Sequence, residues 1–120
     1  MTPNWEAFFA GIDEDPVNRW CAQLLYFYNN AGYEVYMVTG RPNRYREPTI
    51  SWLRKFEIPY SQLFMRGDGD HRADDVVKRE ILQSSIKKDD VELVIDDRES
   101  VVKMWREEGL MCLQCNPSVK

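Results

Sequence analysis

The stretch Val91-Glu92-Leu93-Val94-Ile95-Asp96-Asp97-Arg98 decides how this chain is read. Its first five residues are mostly apolar and β-branched, the composition of a buried strand. Two carboxylates follow at once. Like charges side by side repel, and withdrawing both from water is costly. A helix cap accounts for one aspartate but not for both. A divalent cation removes the difficulty, and oxygen-only ligands point to Mg²⁺. Asp96 and Asp97 are therefore the candidate metal ligands.

Outward from this stretch, helix-like and strand-like segments alternate. Downstream, a helix runs from about Glu99 to Glu108, stops at Gly109, and is followed by a last strand, Leu110 to Cys115. Upstream, Asp74 or Asp75 caps a helix that carries Val76, Val77, Ile81 and Leu82. Before it lie a short strand centred on Leu63-Phe64 and the polar loop Arg66 to Arg72. Pro48 opens a helix that runs to about Phe56, Gly40 to Glu47 is a loop, and Val35 to Thr39 is a strand. A helix from about Val17 to Ala31 starts at Asp15-Pro16 and stops at Gly32. Trp5, Phe8, Phe9 and Ile12 have the spacing of a short amphipathic helix. Such alternation specifies an α/β fold with a parallel sheet, whose chemistry lies at the carboxyl ends of the strands.

Two further strand ends carry polar groups. At Thr39-Gly40-Arg41, a hydroxyl, backbone N–H groups and a planar guanidinium suit a phosphate, and Gly40 allows close backbone approach. An ordinary turn with a solvated arginine is the plain alternative. At Asp74-Asp75-Val76-Val77-Lys78, Asp74 and Lys78 share a helix face. Lys78 screens a phosphate or holds a carboxylate in place, or else belongs to a surface ion pair beside a capping aspartate.

The 120 residues are one domain's worth, and with 43 % hydrophobic residues they can build a core. No apolar run is long enough to span a membrane, and the N-terminus lacks the pattern of a signal peptide. Net charge is −4, which argues against a protein coated in basic charge for gripping nucleic acid. It leaves room for a local basic site. Arg41, Arg44, Arg46, Arg66 and Arg72 all fall in loops after strands, and His71 sits among them as an exposed loop residue. Cys21, Cys112 and Cys115 are an odd count without a secretion signal, which suggests reduced, buried thiols in the cytoplasm. One Cys-x-x-Cys supplies only half of a typical zinc site.

The strand-end Thr39, the helix-borne Lys78 and the acidic pair Asp96-Asp97, in this order, resemble motifs II, III and IV of the haloacid dehalogenase superfamily. Val-Thr-Gly-Arg, Arg-Ala-Asp-Asp-Val-Val-Lys, Val-Ile-Asp-Asp-Arg and Val-Val-Lys-Met-Trp are similar to the phosphatase half of bacteriophage polynucleotide kinase–phosphatase and its small stand-alone relatives. The resemblance runs from about Trp5 to Gln114. It implies a Rossmann-like three-layer fold and Mg²⁺-dependent hydrolysis of phosphomonoesters, with 3′-phosphate ends of DNA or RNA, or nucleoside 3′-phosphates, as substrates. Thr39 would hydrogen-bond the transferring phosphoryl group, and Arg41 would hold the substrate phosphate. Lys78 would neutralise charge on a phosphoaspartate, and Asp96 and Asp97 would hold Mg²⁺ directly or through water. Asp74 matches a carboxylate of the phage enzyme's site. The loop from Arg66 to Ala73 is too short for a cap domain, and an open site suits a polymer end.

Relatives begin with a strand ending in Asp-x-Asp-Gly-Thr, whose first aspartate is the nucleophile and whose second is the general acid and base. The 120 residues hold no such element. Asp13-Glu14-Asp15-Pro16-Val17 fits a loose version of it, but the residues before it have helical spacing and Asp15-Pro16 is explained as a helix start. The expectation is a single domain whose central first strand is absent. The chain is then a fragment or mis-started product, a non-catalytic binder of phosphate ends or nucleotides, or one member of a pair whose partner completes the sheet.

Overall fold

The computed structural model describes residues 2–3 and 19–115. Strand β1 (Thr2–Pro3) is followed by α1 (Arg19–Asn30), β2 (Tyr36–Pro42), a 3₁₀ turn (Asn43–Tyr45) and α2 (Arg46–Lys55). Then come β3 (Gln62–Arg66), α3 (Asp74–Ser85), a second 3₁₀ turn (Lys88–Asp90), β4 (Val94–Asp96), α4 (Glu99–Glu107) and β5 (Cys112–Gln114). Every ladder is parallel. β2 pairs with β3, while β4 pairs with β1 on one side and β5 on the other.

The alternation of β4 builds the layers. Leu93 and Ile95 enter a core with Leu25 of α1, Met37 of β2, Trp52 and Leu53 of α2, and Leu63 of β3. Val94 faces the opposite way, into a core made by Leu82 of α3 and by Val101, Val102, Met104 and Trp105 of α4. Period-two side-chain direction thus puts helices on both faces of the sheet. Asp96, two residues beyond Val94, is directed to the α3–α4 side, and this decides its neighbours. Helix α4 buries residues at i, i+3 and i+4 and ends at Gly109, whose φ of +87° favours glycine. The N–H of Leu110 returns to the carbonyl of Trp105 at 3.1 Å, turning the chain into β5.

Several boundaries differ from the sequence reading. β2 does not stop at Thr39 but continues to Pro42 through an irregularity in its pairing with β3, where Thr39 opposes Met65 and Pro42 opposes Arg66. Helix α2 starts at Arg46, so Pro48 lies inside its first turn, where a missing N–H costs nothing. Ala73 is the N-cap of α3, and Asp74 and Asp75 occupy its first turn, where their charge complements the helix dipole. β4 is short, because the 3₁₀ turn and the residues after it take up Lys88 to Leu93. The amphipathic segment at Trp5 to Ile12 and the Asp13–Asp15 stretch lie outside the described residues.

The expected absence of a first strand is corrected in part. Thr2 and Pro3 pair with Val94 and Ile95, and β1 also lies beside β2. The central position, between the strands leading to Thr39 and Asp96, therefore holds backbone from this chain. An apolar strand there would otherwise leave buried N–H and C=O groups unsatisfied, at about 1–3 kcal/mol each. Two residues cover only part of that edge, and neither is an aspartate.

The thiol reading also changes. Cys21 of α1 and Cys115, just past β5, are joined by a disulfide, and Cys112 is the buried free thiol. Burial pushes the Cys112 thiol up to about 12. Cys112 packs in the α3–α4 core, whereas Cys115 packs against the opposite one. Residues three apart on an extended chain face opposite sides, so this Cys-x-x-Cys is not a chelating pair. Among the described residues, no helix is long and apolar enough to cross a membrane.

Candidate functional site

The site begins with Asp96. Its Oδ1 accepts the backbone N–H groups of Asp97 at 2.8 Å and Arg98 at 3.2 Å. Its Oδ2 accepts the indole N–H of Trp105 at 2.9 Å and lies 4.0 Å from Lys78 Nζ. Asp96 and Lys78 are completely buried. Three N–H donors and a nearby ammonium offset the cost of burying this carboxylate. Lys78, in the second turn of α3, and Trp105 of α4 reach Asp96 because its side chain leaves β4 on the face those two helices cover.

Asp97 contrasts with its neighbour. It is 9 % exposed, and its Oδ1 is buried with no hydrogen-bond donor. Burial first, and then the charge of Asp96, push its carboxyl up to about 6, against the opposing pull of Lys78 and Arg98. A buried carboxylate oxygen without a donor is the kind of group a cation satisfies. The two aspartates fit Mg²⁺ as part of a coordination set, with Asp97 offering the open oxygen. Among the described residues, no group of three or more His, Cys, Asp or Glu side chains gathers in one place. Mg²⁺ commonly completes its shell with water and phosphate oxygens.

Thr39 is completely buried at the end of β2. Its Oγ1 accepts the backbone N–H of Arg41 at 3.1 Å, which leaves the hydroxyl proton available to a ligand oxygen. Gly40 and Arg41 occupy the irregular stretch between the Thr39 and Pro42 pairings, where β2 breaks away from β3.

The loop arginines divide by what they touch. Arg66 is a brace. Its Nε donates to the carbonyl of Gly40 at 2.5 Å, its Nη1 donates to the carbonyls of Asp70 and Arg72, and its Nη2 meets the carboxylate of Asp74. The other oxygen of Asp74 accepts Arg98 Nη1 at 2.7 Å. Asp74 thus sits between two guanidiniums and ties the Thr39–Gly40 loop to the segment after β4. Arg72 is held by Asp70 and Glu80, and its hydrogen bonds lower the pKa of both carboxyls. Arg46 donates to Asn43 and to the carbonyl of Leu63. Arg41 and Arg44 both lie over the ring of Tyr45, at 5.0 and 4.9 Å from its centroid. His71 is exposed.

Three contributors had no assigned role in the sequence reading. Arg66 counted only as one loop cation among several, and Arg98 and Trp105 stood only as members of the quoted motifs. Trp105 could have been found, since a buried indole N–H needs an acceptor and Asp96 offers one.

Comparison with known proteins gives a consistent picture. Residues 8–118 match the family model described as the polynucleotide kinase PNKP phosphatase domain. A putative bifunctional polynucleotide kinase/RNA ligase of Autographa californica nuclear polyhedrosis virus is 35 % identical over 75 residues, which are 61 % of this chain and 11 % of that protein. A chain in the structure of a Pnkp1/Rnl/Hen1 complex is 33 % identical with a TM-score of 0.91, covering 99 % of this chain and 46 % of that one. A chain in a Pnkp1/Rnl/Hen1 RNA repair complex is 34 % identical with a TM-score of 0.87, over 99 % of this chain and 42 % of the other. This chain therefore spans less than half the length of these relatives.

Proposed function

The chain belongs to the PNKP phosphatase-domain family, and from that premise we propose that it is a haloacid dehalogenase-type, Mg²⁺-dependent phosphomonoesterase domain that acts on 3′-phosphate ends of nucleic acid. The observation that carries the reading is the contrast within the acidic pair: Asp96 is filled with donors, while Asp97 keeps a bare buried oxygen. A structural role explains the first and not the second.

Each residue then has a task. Asp97 holds Mg²⁺, with Asp96 positioning the loop behind it, and the ion offsets charge on the phosphate oxygens. Thr39 donates its hydroxyl proton to a phosphoryl oxygen. Arg41 grips the phosphate from the exposed side. Lys78, kept in place by Asp96, offsets negative charge on the bound phosphate. Asp74 acts through Arg66 and Arg98, keeping the phosphate loop and the acidic loop in register. The Pnkp1 relatives come from a structure of an RNA repair complex, which favours RNA ends and a multiprotein setting for this chain as well.

The nucleophile is the remaining requirement. The 120 residues contain no Asp-x-Asp-Gly-Thr. The chain alone is expected to release no phosphate from a 3′-phosphorylated oligonucleotide above background, because loss of a covalent nucleophile costs many orders of magnitude. Adding an in-frame apolar strand ending in Asp-x-Asp-Gly-Thr should confer Mg²⁺-dependent turnover that Thr39→Val and Lys78→Met remove. A folded, extended protein without turnover would favour the second reading, a non-catalytic binder of phosphate ends. Turnover by the chain alone that disappears in Asp13→Ala would instead assign the nucleophile to Asp13.

A further inference from the structure

The disulfide between Cys21 and Cys115 closes next to the acidic pair. Cys21 lies in the first turn of α1, and Cys115 directly follows the last residue of β5. In the register of β4 and β5, Gln114 opposes Asp96, so Cys115 lies at the strand edge that carries Asp96 and Asp97. Its backbone N–H donates to the carbonyl of Asp96 at 2.9 Å. The side-chain amide of Gln114 approaches the carbonyl of Asp97 at 3.5 Å. The end of β5 therefore supports the acidic loop from behind. That support is small, since β5 has only three residues. Short strand ends open at low free energy unless something ties them down. Here the bridge to α1 does so.

Access decides how such a bridge behaves, because exposed disulfides are the labile ones. Cys21 is 4 % exposed, while Cys115 is only partly buried and packs on the outside of the same core. The Cys115 sulfur is thus the one an incoming thiolate reaches. A thiolate of a small dithiol attacks Cys115 Sγ, the bond to Cys21 breaks, and Cys21 leaves as a thiolate that takes up a proton. The second thiol of the dithiol then attacks the mixed disulfide, Cys115 leaves and is protonated, and the dithiol ends as a cyclic disulfide. Two electrons pass from the dithiol to the bridge. A small disulfide, such as oxidised glutathione, closes the bridge again and leaves as two thiols. Cys112 takes no part, since burial first and then Asp96 push its thiol up to about 12 and leave little thiolate.

We propose that Cys21 and Cys115 form a redox-sensitive clasp that sets the Mg²⁺ affinity of the acidic pair. Closed as a disulfide, it holds the end of β5 against the carbonyls of Asp96 and Asp97. Opened by reduction, it lets that end and the acidic loop loosen together. The inference rests on the metal reading proposed above and adds regulation to it.

The test compares the 120-residue chain treated with oxidised glutathione and with dithiothreitol. Thiols are counted after unfolding, Mg²⁺ binding is read by calorimetry, and amide hydrogen exchange is read by mass spectrometry. Oxidation should leave Cys112 as the one free thiol. Reduction should weaken Mg²⁺ binding about tenfold, the scale of losing a support behind a metal ligand. It should also speed exchange in residues 94–98 and 112–115 more than in α2 and α3. Reoxidation should restore both. Cys115→Ser should behave like the reduced chain under either treatment. The reduced unmodified chain gives the same reading without any substitution, should that variant not fold. Three free thiols after oxidation would overturn the proposal, as would exchange that rises evenly through the fold on reduction. If both forms bind Mg²⁺ equally, the clasp fails while the metal site stands. If neither binds it, the metal site fails and the clasp falls with it.

Discussion

Lys78 Nζ and Asp96 Oδ2 meet 4.0 Å apart with neither side chain exposed to solvent. The pair joins α3 to β4 beneath the strand ends, so it is a structural link as well as a site component. Removing one member of a buried pair leaves an uncompensated charge, at about 3–5 kcal/mol. Asp96 keeps its three N–H donors, which softens the loss. Lys78→Met is therefore expected to cost about 2–3 kcal/mol and lower the melting temperature by roughly 10 °C in a domain of this size. Thermal melting followed by circular dichroism checks it, and an unchanged Tm would show that the pair holds nothing together.

Asp97 predicts an unusual pH dependence. Its carboxyl is pushed up to about 6 in the folded chain, against about 4 when unfolded. The folded state thus holds this proton more tightly, and the group favours folding most below about pH 4. That contribution is lost as pH rises through 6, and at neutral pH the bare carboxylate opposes folding. In metal-free buffer at pH 7, Asp97→Asn should be more stable than the unmodified chain by about 2 kcal/mol, with the difference shrinking towards pH 4. Mg²⁺ should raise the Tm of the unmodified chain and leave that of Asp97→Asn in place. A variant that melts lower at pH 7 without metal would contradict the assignment of the open oxygen.

The two partners of Asp74 should differ in weight. The Arg66 side chain is 10 % exposed and that of Arg98 is 52 % exposed. Arg66→Gln removes a buried ion pair and the bonds to Gly40, Asp70 and Arg72, so it should destabilise by about 3 kcal/mol. Arg98→Gln removes a solvent-screened contact and should cost under about 1 kcal/mol. Urea denaturation of both variants measures the difference. Equal losses would mean that Asp74 is not the buried hub described above.

Much of this architecture was legible in the chain. The apolar run before Asp96, the spacing of α4 and its stop at Gly109 each follow from local rules, and they fix a parallel α/β sheet with its polar groups at one edge. The acidic pair stood out for a similar reason, since two carboxylates at the end of an apolar strand are costly and need partners, whereas Lys78 stood out by sharing a helix face with Asp74 and by the motif it completes. The partners themselves did not. Arg66 and Asp74 are eight residues apart across a loop, and Arg98 lies 24 residues from Asp74, so no periodicity links them. Cys21 and Cys115 are 94 residues apart in sequence, so no local pattern links them either. The placement of Thr2–Pro3 against β4 was missed because two residues carry no strand pattern, and only the open backbone of Val94–Ile95 gives them a reason to pair.

The central claim is that Thr39, Lys78 and Asp97 together make a seat for a 3′-terminal phosphate in the presence of Mg²⁺. The most direct measurement compares binding of two oligonucleotides that differ only at the 3′ end, phosphate against hydroxyl, by the unmodified chain and by Thr39→Val. The account predicts at least tenfold tighter binding of the phosphorylated end with Mg²⁺, a charge-assisted preference of about 1.4 kcal/mol or more, and loss of most of it in Thr39→Val. Equal affinity for the two ends, with or without Mg²⁺, would contradict it.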